Sequence, residues 1–493
     1  MIPFDNTYAR LPEHFYARQP LRGVPAPSIV RLNERLISAL GTLDGADLRS
    51  HEGAAALAGA ALAPGAEPLA MAYAGHQFGH FNPQLGDGRA VLLGEFLASD
   101  GTRYDVHLKG SGATVFSRGG DGRSALGPVI REYVVSEFMA GLGIPTTGAL
   151  AIVRTGDTVL RQQGPEPGGV LVRVAKSHVR IGTFQYFSAR QDHAALRTLM
   201  DYVIKRHYPT LEDHPRPALG LFEAVCQRQA ELIAHWQLVG FIHGVMNTDN
   251  VSIAGETIDF GPCAFLDAYA ANKVFSSIDH RGRYAYSNQP VIGAWNLGRL
   301  ADTLLPLIDD DEKRAIGAVE EVLDGYVREL GARLVAGWRA KLGLVLERAE
   351  DQALISDLLE AMEQGRADFT RTLRALSALP GDAVDGKDDA LRAEFVSAKA
   401  IDSWLLDWRV RLRAEPQGDD LRQVAMKRVN PAFIPRNHQV EYAIRAAYDD
   451  QDYSRLDELL QVARDPFTWR DAHAHLALAP SPSEEVRQTF CGT

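Results

Sequence analysis

Cysteine, basic charge and long apolar runs are all scarce in this chain of 493 residues, and each scarcity excludes something. Three cysteines, Cys226, Cys263 and Cys491, are too few and too scattered for a disulfide framework or a zinc cluster, which favours a reducing compartment. Lysine and arginine number 52 against 63 acidic residues, a net charge of -11, so the electropositive footprint of a nucleic-acid binder is missing. No run approaches the roughly 18 apolar residues of a membrane span, and the first ten residues carry an acid and no apolar signal core. We therefore expect a cytoplasmic protein with neither a membrane span nor a nucleic-acid partner. Oligomeric state and target proteins have no signature in the sequence.

What is present is an ordinary globular composition, 46% hydrophobic and 23% charged, in a chain long enough for roughly two to four domain-sized units. Its chemistry centres on His243-Gly-Val-Met-Asn-Thr-Asp249-Asn250, followed after a short segment by Ile258-Asp259-Phe260-Gly261. An Asn followed by Asp-Phe-Gly is the pair with which protein kinases hold the metal ions on ATP, because both side chains offer the hard oxygens that Mg²⁺ prefers. The kinase catalytic loop also places a His seven residues before that Asn, where His243 stands, and an Asp two residues after the His. This chain has Val245 there, and an isopropyl group accepts no proton. The one carboxylate nearby is Asp249, so the motif reads as a kinase site with its base removed or relocated.

In the N-terminal half, apolar spacing predicts a helix over 27–40 and a short one over 53–63. His76 and His80 have metal-sharing spacing, but Gln77 follows the first His and glycines flank the pair, so a hydrogen-bonded loop is expected instead. Gly86-Asp-Gly88-Arg89 precedes a strand over 90–96; it reads equally as a hairpin turn or as a phosphate-approach segment completed by an arginine. The strand Arg103–Lys109 alternates, with Tyr104, Val106 and Leu108 on one face and Asp105, His107 and Lys109 on the other. Lys109 thus ends a strand, as a solvated lysine commonly does and as the ATP-gripping lysine of a kinase does. A glycine-rich connection containing Asp121 and Gly122 follows, then a helix over 129–142 that is apolar around most of its circumference and should be sandwiched between layers. That helix offers Glu132 and Glu137 as partners for Lys109, and periodicity does not choose between them. The segment 147–160 reads as a hairpin turning at Gly156-Asp157, 164–169 as a loop, and 170–184 as a strand pair. Arg173 and Arg180 lie an odd number of residues apart, so they share a site only if the chain bends near Lys176-Ser-His178; otherwise they are two surface arginines.

From about residue 191 the chain turns helical, with segments over 196–205, 221–238, 295–307, 311–342 with interruptions, 353–374, 392–413 and 439–449. The stretch between Gly261 and Pro290 is loop-rich, where a kinase keeps its activation segment. Trp404, Leu405, Trp408 and Leu412 read as a core stripe.

Taken together, Tyr-Ala-Gly-His-Gln-Phe-Gly at 73–79, Gly-Asp-Gly-Arg at 86–89, Leu-Lys-Gly-Ser-Gly at 108–112, Ser-Arg-Gly-Gly-Asp-Gly-Arg at 117–123, Ile-Arg-Glu-Tyr at 130–133, His-Gly-Val-Met-Asn-Thr-Asp-Asn at 243–250 and Arg-Tyr-Ala-Tyr-Ser-Asn-Gln-Pro at 283–290 resemble the selenoprotein O family, from near residue 70 to the terminal Cys491. The resemblance implies an α+β fold of protein-kinase-like, two-lobed form, with a β-rich N-lobe over 1–190 and a helical, extended C-lobe over 191–493. It implies a protein adenylyltransferase that moves AMP from ATP to Ser, Thr or Tyr hydroxyls of protein substrates, with the nucleotide inverted relative to ordinary kinases. It further implies Gly86, Gly88, Arg89, Lys109, Asp121, Gly122, Arg173 and Arg180 as nucleotide contacts, Asn250 and Asp259 as ligands of Mg²⁺ or Mn²⁺, Asp249 as proton acceptor, and Glu132 as the partner of Lys109. Eukaryotic members carry selenocysteine where this chain has Cys491, and some relatives pair the terminal cysteine with one in the activation segment. The corresponding place here is Phe275, so a redox disulfide would need Cys263 instead. Pro435 is a second departure from the expected pattern. UMP transfer from UTP, γ-phosphoryl transfer with an unorthodox base, and a non-catalytic nucleotide-binding scaffold are the other readings the residues admit.

Overall fold

The computed structural model describes residues 2–161 and 164–490. The strands among them are β1 (Tyr16–Arg18), β2 (Ser28–Leu32), β3 (Leu69–Met71), β4 (Gly75–Gln77), β5 (His80–Asn82), β6 (Ala90–Leu97), β7 (Arg103–Lys109), β8 (Ser124–Ala125), β9 (Gly148–Arg161), β10 (Gly164–Ala175), β11 (Phe241–Ile242) and β12 (Ala264–Phe265). Eight form one antiparallel sheet in the order β1-β3-β6-β7-β10-β9-β2, with β8 on β10. The rest of the chain is mostly helical, giving a mixed α/β protein with a sheet-rich N-terminal region and a helical C-terminal region.

Alternation along β7 explains both faces of the sheet. Val106 and Leu108 enter a core with Leu150, Val153, Val170 and Val172, while Asp105, His107 and Lys109 occupy the other face. That second face is buried as well, with His107 fully enclosed, so its polar groups must find partners inside the protein. In the β7–β10 register Arg173 lies opposite His107, which puts it on the face that carries Lys109.

The helix Leu126–Gly141 lies over this sheet, and nearly all of its residues are buried. One side meets Ile152 and Leu171 of the sheet; another meets Val440, Ala443 and Ala447 of the helix Asn437–Asp449 and Leu456 and Leu459 of the helix Ser454–Ala463. Burial of each such aliphatic side chain contributes roughly 1.5–3 kcal/mol, so the late helices hold the early one against its sheet. Farther on, the helix Pro217–Val239 stops at Gly240, whose φ of 72° is the left-handed cap that glycine adopts without a Cβ penalty. The chain then enters β11, which pairs antiparallel with β12. This short ladder brackets residues 243–263 and fixes both ends of the loop that carries Asp249, Asn250 and Asp259.

Several sequence expectations need correction. The segment 27–40 divides into β2 and the helix Glu34–Leu40, with Asn33 capping the helix through Leu36 N. Residues 148–161 form one strand, not a hairpin, because Gly156 (φ 78°) absorbs a local irregularity, and the expected loop 164–169 is the start of β10. After β10 the chain does not form a second strand but enters the helix Ile181–Ser188. His76 and His80 sit on the paired strands β4 and β5 instead of a loop. In the C-terminal half, 312–342 is one uninterrupted helix, whereas 353–374 and 392–413 each break into two. Trp404, Leu405, Trp408 and Leu412 are core, as their spacing predicts. No helix among the described residues is long and apolar enough to cross a membrane.

Candidate active site

The sheet and the 243–263 loop face each other across a cleft of about 900 Å³. Gly86, Gly88, Arg89, Lys109, Asp121, Gly122, Arg173 and Arg180 line it from the N-terminal side, and Asp249, Asn250 and Asp259 from the loop. All eleven residues singled out as nucleotide, metal or proton-transfer candidates therefore border one space.

At the inner end stands a cluster of fixed charge. Asp259 Oδ1 accepts from Lys109 Nζ at 2.8 Å and from Arg173 at 2.7 Å, and Oδ2 accepts from Arg180 at 2.9 Å. Burial alone would raise this carboxyl's pKa, but the charges of Lys109, Arg173 and Arg180 outweigh it and hold the group well below the usual carboxylate range. Asp259 also adopts φ 64°, uncommon for a residue with a side chain, so backbone conformation as well as charge aims it here. Lys109 Nζ donates a second bond to Glu132 Oε2 at 2.7 Å. Glu137 faces elsewhere, accepting from Asn33 at 2.6 Å with Arg35 at 3.7 Å. The bend at Lys176-Ser-His178 is what lets Arg173 and Arg180 converge from β10 and the following turn.

A further layer, not singled out from sequence, supports these cations. Arg173 donates to His107 Nδ1 at 2.9 Å, which leaves Nε2–H of that imidazole to face Asp87 at 3.3 Å. His178 stacks on His107 with ring centroids 4.2 Å apart and donates through Nδ1 to Asp105 at 2.9 Å. Burial pushes both imidazoles toward the neutral form. Arg180 lies over the Tyr73 ring, 4.7 Å from its centroid. The signal for His107 and Asp105 was available, since alternation puts them on the Lys109 face; that this face is closed to solvent was not.

Asp249 has a different environment. Its Oδ2 accepts from Gln77 Nε2 at 3.0 Å, and its buried Oδ1 has no hydrogen-bond partner. Burial pushes the carboxyl up to about 6. The β4–β5 hairpin comes this close because position 75 is glycine: a Cβ there would lie 2.6 Å from Asp249 Oδ1. Thr248 Oγ1 accepts from His76 N at 2.7 Å, and Asn247 Oδ1 accepts from Phe78 N at 3.0 Å, so the loop and hairpin are stitched together. Gln77, which from sequence only counts against a shared metal at His76 and His80, is thus the group that touches Asp249.

His243 is not placed for proton transfer. Its Nε2 donates to Ile258 O at 2.9 Å and its Nδ1 accepts from Val245 N at 3.4 Å, which ties the two halves of the loop together. Asn250 donates through Nδ2 to Val245 O at 3.0 Å, leaving Oδ1 as the acceptor end of its amide. An amide oxygen and the Asp259 carboxylate are hard donors that suit Mg²⁺ or Mn²⁺. Among the described residues no group of three His, Cys, Asp or Glu side chains has metal-holding geometry, so such an ion would draw its other ligands from phosphate and water, as Mg²⁺ commonly does.

At the outer end, Gly86 (φ 69°) and Gly122 (φ 64°) occupy positions where a Cβ would overlap the Phe116 ring and the Gly112 carbonyl, respectively. Asp121, about half exposed, pairs with Arg161 at 2.9 Å and accepts from Arg123 N. Cys263 is buried with its thiol on Phe260 O. Phe275 is buried too, and its carbonyl accepts from Thr489 N at 2.8 Å. Cys491 lies outside the described residues.

Comparison with known proteins places the chain in a family. A sequence model of the family described as "Protein adenylyltransferase SelO" matches residues 1–464. The chain is 55% identical over 493 residues to "Protein nucleotidyltransferase YdiU" of Rhodopseudomonas palustris strain BisB5, covering 100% of this chain and 99% of that protein. The like-named protein of Bradyrhizobium sp. strain BTAi1 is 56% identical over 492 residues, with the same coverage. That of Rhizobium johnstonii is 54% identical, with 97% of the relative covered. The chain belongs to the SelO family of nucleotidyltransferases.

Proposed function

We propose that this enzyme transfers AMP from ATP to Ser, Thr or Tyr hydroxyls of proteins and releases pyrophosphate, within a protein-kinase-like pair of lobes over 1–190 and 191–493 in the cytoplasm. The observation that carries the reading is Asp249: a buried carboxylate with one oxygen unpartnered, in the same cleft as three converging cations, while Val245 occupies the position of the kinase base. A carboxyl poised near 6 accepts a proton more readily than an ordinary surface aspartate.

The cations supply the rest of the arrangement. Lys109, Arg173 and Arg180 now share the charge of Asp259; an entering triphosphate offers them more negative charge, and the guanidinium forks match phosphate oxygens. With the terminal phosphates held at this inner end, the α-phosphorus faces Asp249. The acceptor hydroxyl loses its proton to Asp249 as its oxygen bonds to the α-phosphorus. The bond from that phosphorus to the bridging oxygen breaks, and the charge that develops on pyrophosphate is met by Lys109 and the two arginines. Mg²⁺ or Mn²⁺ held by Asn250 and Asp259 would add Lewis-acid neutralisation of the same charge. Gly86, Gly88, Arg89, Asp121 and Gly122 are left for the nucleoside end.

Asp249→Asn tests the assignment. It keeps the shape and removes the proton acceptor, so transfer should fall by about 10²–10⁴-fold with ATP affinity retained. Transfer at the wild-type rate would contradict it.

A further inference from the structure

The face of the β4–β5 hairpin away from Asp249 carries an arrangement that nucleotide transfer does not use. Arg283, in the loop before the helix Gln289–Ile308, lays its guanidinium over the ring of Trp295 on that helix, 4.6 Å from the centroid. Arg299, one helical turn on, lies 5.4 Å from the same ring but is paired with Asp302 at 3.2 Å. Arg283 has no such partner: no carboxylate pairs with it among the described residues, and its Nε and Nη2 are closed off from solvent with no acceptor. Its guanidinium also lies 5.7 Å from the Tyr284 ring centroid, and its backbone N–H donates to Asp279 Oδ1 at 2.9 Å. Among the described residues the half-buried guanidinium therefore has no carboxylate within ion-pair distance.

Its position relates it to the reaction. A Cβ on the exposed Gly79 would lie 3.6 Å from the guanidinium carbon of Arg283. Gly79 is two residues along the hairpin from Gln77, whose amide holds Asp249. Phe78, between them in the turn of the hairpin, borders the cleft, so a peptide presenting a hydroxyl to Asp249 brings its near neighbours to this turn. Phe81 on β5, 41% exposed, lies with its ring centroid 4.9 Å from that of His76, whose ring in turn meets Trp295 at 5.3 Å, and Ile278 on the cleft rim is 57% exposed.

We infer that Arg283, backed by Trp295, receives a carboxylate side chain lying within about three residues of the modified hydroxyl, with Phe81 and Ile278 taking an apolar neighbour. The favoured protein substrates thus carry Asp or Glu beside the acceptor. This rests on the reading of Asp249 as the acceptor side of the cleft. Arginine suits the task because its planar fork both stacks on an indole and pairs with a carboxylate.

The test measures binding of non-reactive peptides to the full chain by fluorescence anisotropy. The acceptor is replaced by Ala, and Glu, Gln or Lys is placed in turn at each of three positions on either side. At one or more positions the Glu peptide should bind wild type about tenfold more tightly than its Gln counterpart, as one charge-assisted hydrogen bond at a half-buried site provides. Arg283→Gln should abolish the difference, and Arg283→Glu should instead favour the Lys peptide, with thermal melting confirming that both variants fold. Indifference of wild type to Glu against Gln at every position, or a preference that survives Arg283→Gln, would overturn the inference. Because these peptides cannot react, absence of nucleotide transfer in a separate assay would count against the proposed reaction and not against this site.

Discussion

Lys109 and Arg173 share a single oxygen of Asp259, at 2.8 and 2.7 Å. One carboxylate thereby holds in place two of the three cations that, in the proposed reaction, would meet a triphosphate, and there it would also offer a hard oxygen to the accompanying ion. Asp259 would in this sense be an internal substitute for the substrate, with entering phosphate oxygens replacing its own on the cations.

Removing that carboxylate should therefore have two effects. Asp259→Ala should abolish transfer, because a proposed metal ligand is lost, and should destabilise the nucleotide-free protein by about 3–5 kcal/mol, because three buried cations lose their shared carboxylate, leaving, among the described residues, Lys109 and Arg173 only Glu132 and Arg180 only Asp87 at 4.0 Å. Addition of triphosphate should restore more melting temperature to this variant than to wild type. Near-normal activity would show that Asp259 is not a ligand.

Glu132 and Glu137 lie on the same helix and should behave differently. Glu132→Gln loosens Lys109 and, through the 3.4 Å contact, Arg173, and should raise the Kd for ATP at least about tenfold, since charge-assisted bonds to two cations are weakened. Glu137→Gln disturbs the contacts with Asn33 and Arg35, and should alter urea stability without altering ATP affinity. Isothermal titration and urea melts on the two variants separate the roles.

Stability should carry a pH signature from Glu256. Burial pushes this carboxyl up to about 7, only partly offset by Lys176, whose N–H it accepts at 3.0 Å. A carboxyl that holds its proton more tightly when folded makes the protein less stable as pH rises from the unfolded value of about 4.5 to about 7, and the loss is complete above that. The shift corresponds to about 3 kcal/mol. Glu256→Gln should therefore match wild type near pH 4.5 and show a higher urea midpoint at pH 8; equal midpoints at both pH values would contradict the assignment.

The sequence made the strand Arg103–Lys109 and the Asn250/Asp259 frame legible because alternation and spacing are local properties. It did not resolve Glu132 from Glu137: both lie on a helix buried nearly all round, and the choice depends on which side meets Lys109 and which meets Asn33. The division at 148–175 was misread for a similar reason. Gly156 and Pro167 are turn formers in isolation, but β9 and β10 pair along most of their length and absorb both as irregularities. Gln77 escaped notice because its partner, Asp249, is 172 residues away, and no local pattern records a contact of that range.

The central claim, that the α-phosphoryl group and not the γ-phosphoryl group is transferred, is tested most directly by position-specific label. ATP labelled at the α- or γ-phosphorus is supplied with Mg²⁺ or Mn²⁺ to the full chain and a protein mixture, with α-labelled UTP in parallel. Label from the α position alone on protein, lost in Asp249→Asn, is the predicted result, and comparison of the ATP and UTP lanes identifies the nucleotide. Label from the γ position alone would make the enzyme a phosphotransferase, and label from none of them despite tight ATP binding would make it a scaffold; either would contradict the account.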